Sequence, residues 1–174
     1  MVVIGLLLLA VAKPPDLPYY DWTACPGEGC VYREWTARKP VVVYDIWQAG
    51  RRVAAQLAAG DRVTAVRGVV ITLRPGVIEM GRDLPAQGLK RGDRVLTYTY
   101  LGGGVAVAWH HQHLDEMDIG FARRPDGAGC QGKCAGTYLD LGKTEWWVEV
   151  RLTSGKTGWV LTDFQMFDGM NALV

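Results

Sequence analysis

Trp147-Val148-Glu149-Val150-Arg151-Leu152-Thr153-Ser154-Gly155-Lys156-Thr157-Gly158-Trp159-Val160 sets two apolar runs on either side of a polar, glycine-containing break. From Trp146 to Leu152 the chain is rich in β-branched and aromatic residues, which fit a pleated, half-buried surface. Thr153 to Gly158 collects residues that favour tight turns, and Trp159-Val160-Leu161 then resumes the apolar run, so the segment predicts a β-hairpin. Trp147 and Trp159 alternate with Val148 and Val160. Successive side chains of a strand point to opposite faces, so at least one member of each pair faces a core.

The same pattern recurs upstream. Val41-Val42-Val43-Tyr44 reads as a short strand. Leu57-Ala58-Ala59-Gly60-Asp61-Arg62-Val63 matches Leu89-Lys90-Arg91-Gly92-Asp93-Arg94-Val95, 32 residues later, as L-x-x-G-D-R-V. Each copy leads into an alternating strand. The first runs on through Val69–Leu73 to an Arg74-Pro75-Gly76 turn and a return strand, Val77–Met80. The second runs through Leu96–Tyr100, a Gly102-Gly103-Gly104 turn and Val105–Trp109. Residues 122 to 136 form a polar, Gly-rich loop. Phe164, Phe167 and Met170 recur at three-residue spacing, which predicts one short helical turn in the tail. No segment shows a helix of ten or more residues.

Composition supports this reading. A chain of 174 residues and 19.1 kDa holds one domain or two small ones. It carries 22 glycines and seven tryptophans, with 49% hydrophobic and 21% charged residues. That much apolar surface excludes intrinsic disorder, and so much glycine excludes a long coiled coil. The net charge is +1, but residues 33 to 94 hold twelve basic against six acidic side chains, leaving the remainder at −5. A solvated surface with no partner is the expected reading of this asymmetry, an anionic partner for the first half is the alternative, and no dense Lys/Arg run points to nucleic acid.

Val2 to Ala12 is an apolar run too short to span a bilayer, since a helix needs about 20 residues. It reads as the core of a secretory signal with Ala10-Val11-Ala12 at the cleavage position, so residues 1–12 form a signal-peptide-like segment. No positive charge precedes it, so a natural start upstream of Met1, or a fragment, is expected. Export implies an oxidising, extracytoplasmic setting, periplasmic or secreted. There, four cysteines suggest disulfides rather than metal. Three pairings are open. Cys25 with Cys30 and Cys130 with Cys134 are favoured, because CPGEGC and CQGKC are Gly-rich and can close tightly. The rival is a zinc site built from C-x4-C and C-x3-C.

The hairpin with its G-W-V return, the two L-x-x-G-D elements and the opening strand Val41-Val42-Val43-Tyr44-Asp45 resemble the bacterial SH3-like (SH3b) domain family. The Trp146-Trp147 pair is also similar to the adjacent tryptophans of eukaryotic SH3 domains. The resemblance implies an all-β fold of SH3-like barrels. Residues 37–86 hold the opening strand and one L-x-x-G-D but lack the W-x-x-V and G-W-V end. Residues 87–174 hold the other L-x-x-G-D and that end but lack a clear opening strand. Two packed degenerate lobes with these bounds therefore follow, after a Cys-containing extended lead-in at residues 13–36. The alternative is one barrel split by an insertion of roughly 70 residues.

The resemblance also implies a groove for extended ligands near Tyr44, Trp146 and Trp147, where rigid rings bury area at low entropic cost. The expected function is an exported, non-enzymatic module that recognises a protein or peptidoglycan-type ligand. The alternative is a structural or accessory subunit of an extracytoplasmic assembly. No cofactor, membrane span or nucleic-acid partner is expected. His110-His111-Gln112-His113 with Asp115 and Glu116 offers metal-ligand chemistry. A hairpin turn there would make consecutive side chains diverge, so a solvated loop is expected and no metal. No G-x-S-x-G elbow, H-E-x-x-H helix or phosphate-binding glycine loop is present.

Overall fold

The structure, a computed structural model, describes residues 12–172. All but Ala12 of the apolar segment read as a secretory signal lies outside the described residues. In chain order, β1 (Tyr19–Trp22), β2 (Glu34–Ala37), β3 (Val41–Tyr44), β4 (Val53–Leu57) and β5 (Arg62–Arg74) belong to one sheet. A second sheet takes β6 (Gly76–Met80), β7 (Arg94–Gly102), β8 (Val105–His110), β9 (His113–Asp118), β10 (Ala122–Arg123) and β11 (Gly136–Asp140). The chain then returns to the first sheet with β12 (Lys143–Leu152), β13 (Thr157–Thr162) and β14 (Phe167–Asp168). Among the described residues there is no α-helix, and the fold is all-β with two curled, barrel-like lobes.

The strand order is β14-β2-β5-β12-β13-β3-β4 in the first sheet, with β1 beside the far half of β5. In the second it is β10-β11-β6-β7-β8-β9. Both orders share one plan, β2-β5-β12-β13 in the first sheet and β6-β7-β8-β9 in the second: a strand earlier in the chain, the strand that follows the L-x-x-G-D-R-V turn, then a hairpin. The expected division at 37–86 and 87–174 does not coincide with the sheets. β6 pairs with β7 and β11, while β12 and β13 return to β5 and β3. The second lobe is inserted between β5 and β12, so the two-lobe and the split-barrel readings describe one nested arrangement. Sequence order gave adjacent segments. The ladder hydrogen bonds instead join Trp146–Leu152 to Val63–Val70 across the insertion.

The two L-x-x-G-D-R-V copies form the same turn. The Asp61 carboxylate accepts the Ala58 backbone N–H at 2.8 Å, and Asp93 accepts that of Lys90 at 2.8 Å. Gly60 N donates to Ala37 O at 2.8 Å, and Gly92 N donates to Met80 O at 2.8 Å. Each turn thereby ties a strand earlier in the chain, β2 or β6, to the strand that follows the turn. The glycines sit at φ +92° and +88°, where an L side chain is strained. Leu57, Val63, Leu89 and Val95 are all buried, which explains why the motif keeps apolar ends.

The first lobe closes over Trp35, Val43, Val63, Trp146, Val148, Val160 and Phe167, and the second over Ile78, Met80, Leu89, Val95 and Ala108. Full burial of each large side chain contributes roughly 1.5–3 kcal/mol. The tail departs from the expected helical turn. A single bonded turn, Met166 N to Asp163 O at 3.2 Å, precedes strand β14, which pairs with β2. Phe167 and Met170 enter the core from there, whereas Phe164 is more than a third exposed.

Cys25 is paired with Cys30 and Cys130 with Cys134, each with Cα atoms 5.6 Å apart. Loops this short confine the unfolded chain by about 2 kcal/mol each in the chain-entropy account. The first loop also joins the lobes: the Gly27–Glu28 backbone lies so close to Gly102 that a side chain there would strike it. At the junction itself Pro75 alone links β5 to β6, and Leu141-Gly142 links β11 to β12. A Cβ on Gly142 would stand 2.6 Å from the Gly76 nitrogen. The Arg74–Asp140 ion pair bridges the same two crossings.

Candidate functional site

Adjacent strand residues face opposite ways, and this separates the expected site residues. Trp146 turns into the first lobe's core, 6% exposed, with its ring 6.0 Å from Trp35. Its indole N–H donates to the Tyr32 hydroxyl at 3.3 Å. It is a core residue, which corrects its placement among the ligand contacts. Trp147 points to the outer face of the sheet but is only 1% exposed, so it forms the base of that face rather than its contact surface. Tyr44 lies beside it with ring centroids 5.8 Å apart. The structure thus brings Tyr44 and Trp147 together and leaves Trp146 on the other side.

Around that pair the outer face carries a continuous set of rings. β1 places Tyr20 and Trp22 on it, opposite Ile71 and Val69 of β5. The loop after β3 adds Trp47, whose ring is 5.6 Å from Tyr20, 5.9 Å from Trp22 and 6.4 Å from Trp159. Val69, Ile71, Trp147 and Trp159 are buried beneath. Above them Tyr20 and Trp22 remain 42% and 45% exposed, so the surface is supported from below and open from above.

Two arginines hold the rings in place. The Arg51 guanidinium lies 5.3 Å from the Tyr44 ring centre and 5.0 Å from that of Trp147. Arg67 lies 5.9 Å from Trp22 and 5.7 Å from Trp159, and its Nε donates to Glu149 at 2.7 Å. A cation over an aromatic face contributes about 0.5–1 kcal/mol at exposed sites. The loop that carries Trp47 and Arg51 is closed by Asp45, which accepts the backbone N–H of Arg52 at 2.7 Å and of Ile46 at 2.9 Å. The Arg52 N–H, foremost, holds the Asp45 carboxyl below its ordinary range.

Tyr20, Trp22, Trp47, Arg51 and Arg67 were not legible as site residues. Residues 13–36 show no period, yet Tyr19-Tyr20-Asp21-Trp22 alternates as a strand that adds to β5. That alternation is one of burial, and the four residues carry no period in the sequence that announces it.

The histidine run behaves as a turn. His110 pairs with His113 across β8 and β9, and His111 and Gln112 between them have φ of +44° and +66°, the signature of a two-residue hairpin loop. His110 Nε2 reaches Asp115 at 3.1 Å and His111 Nε2 reaches Asp93 at 3.0 Å, in separate directions. Among the described residues no group of three His, Cys, Asp or Glu converges on one point, and no helix is long and apolar enough to cross a membrane.

Comparisons with protein-family models, with curated proteins and with solved structures find no match to this chain.

Proposed function

We propose that this chain is an exported, non-enzymatic SH3-like binding module that holds a protein or peptidoglycan-type ligand against its aromatic outer face. One observation carries the reading: Tyr20, Trp22, Tyr44 and Trp47 form a half-exposed surface over the buried Trp147 and Trp159, clamped by Arg51 and Arg67. Pre-organised rings lose little entropy on binding and stack on proline or sugar faces. Arg51, which no carboxylate among the described residues pairs, adds attraction for carboxylates along an extended chain. Two disulfides support a periplasmic or secreted location.

A second reading, an accessory subunit of an extracytoplasmic assembly, draws on β4. That strand ends its sheet, carries no charge, and exposes Val53 to 61%. Uncharged edges of this kind invite another strand. A pull-down on purified peptidoglycan, run beside a mild native purification, separates the two. Saturable retention that falls in Trp22→Ala supports the first reading. No retention, with co-purification in a large complex, rejects it for the second.

A further inference from the structure

The second lobe, with Thr144 of β12, lines an open cavity of about 500 Å³ that shares no residue with the aromatic face. Its volume lies within the range of small-molecule sites. Protein interiors are normally filled to crystal-like density. Here the wall beside Ile119 includes Gly76, Gly104, Ala106, Gly120 and Ala122, too small to fill the space. The large side chains stand around this floor. Tyr98, Tyr100 and Tyr138 supply three rings and Thr97 a hydroxyl. Tyr98 is fixed from outside by Tyr19 of the first lobe, ring centroids 5.0 Å apart. The Tyr100 hydroxyl is fixed by the Gly104 N–H at 3.1 Å.

The charge of the lining selects among ligands. Arg124 is its one ionic residue, and its guanidinium is already paired with Asp126, Nε to Oδ1 at 3.1 Å and Nη2 to Oδ2 at 2.7 Å. It also lies 5.6 Å from the Tyr138 ring centre. An anion would have to displace Asp126, and a cation would meet the guanidinium. A neutral ring with one apolar face and several hydroxyls meets neither obstacle. It can stack on tyrosine and bond to the hydroxyl and Arg–Asp edges. We propose that this cavity binds a single saccharide unit.

The test is an amide NMR titration of the whole chain with the N-acetylglucosamine disaccharide, with methyl glucoside, and with benzoate as the anionic probe. Saturable shifts at Ala106, Gly120 and Ala122 with either sugar, at millimolar affinity, are expected. Ala128→Trp, at an exposed position on the cavity wall, should abolish them while shifts in the first lobe stay in place. Tyr100→Leu, also exposed, should weaken binding at least fivefold and serves if the first variant does not fold. The proposal is overturned if neither sugar shifts these amides, if both variants bind as the parent does, or if benzoate alone binds. Failure here leaves the aromatic face untouched, because no residue is shared.

Discussion

Trp146 packs against Trp35 and Phe164, with ring centres 6.0 and 5.3 Å away. Truncating it to alanine is expected to cost about 3–5 kcal/mol, read as a lower urea midpoint with unchanged slope. Trp22→Ala removes a ring that is already 45% exposed and should cost under about 1 kcal/mol. Equal losses would contradict the assignment of the two faces. A second residue-scale expectation concerns Asp126, whose carboxyl is held at about 2, below the ordinary 3.8, chiefly by its hydrogen bonds from Arg124. A depressed carboxylate favours the folded state above its unfolded pKa and loses that contribution as pH falls through the folded value. Here the loss runs from about pH 4 down to about pH 2. Carboxyl NMR should find the midpoint near 2 and, in Arg124→Gln, a return toward 3.8; an unchanged midpoint would sink the pairing. At this scale the sequence showed that the Trp/Val pairs alternate, but not which tryptophan is inside. That depends on whether β1 and the Trp47 loop cover the outer face.

The repeated turn is the element that was most legible, because its chemistry is local. Asp closes it, Gly supplies the positive φ, and Leu and Val anchor its ends. Gly60 and Gly92 have open space where a Cβ would stand, so Gly→Ala at either position tests backbone conformation alone. Each should cost about 1–2 kcal/mol, with the two values alike. Chemical denaturation in which one substitution is neutral and the other costly would break the equivalence of the lobes. Gly142 differs: besides its φ of +76° it meets Gly76, Arg74 and Pro75 backbone, so Gly142→Ala should cost more than either. The local disulfides were readable for the same reason. The short strands β1 and β14 were not, since four and two residues carry too little period to announce a partner far along the chain.

The nested topology belongs to the whole molecule, and no local pattern encodes it. What decides it is that Arg74 and Lys143 are cross-strand partners on either side of the inserted lobe. Replacing residues 75–142 by an Asn-Gly turn should therefore close β5 and β12 into a hairpin. A first lobe with native near-ultraviolet tryptophan signals should result. A molten product would show that the lobes fold only together, through the Gly102 contact and the Tyr19–Tyr98 stack. Function is likewise a property of this scale, because the outer face is assembled from β1, the loop after β3, β5, β12 and β13. The most direct measurement is the equilibrium affinity of the parent chain and of Trp22→Ala/Trp47→Ala for the polymer or protein that retains it. The expected result is at least a tenfold loss, about 1.4 kcal/mol, with a cooperative unfolding transition retained. Equal affinity in the double variant would contradict binding on the aromatic face.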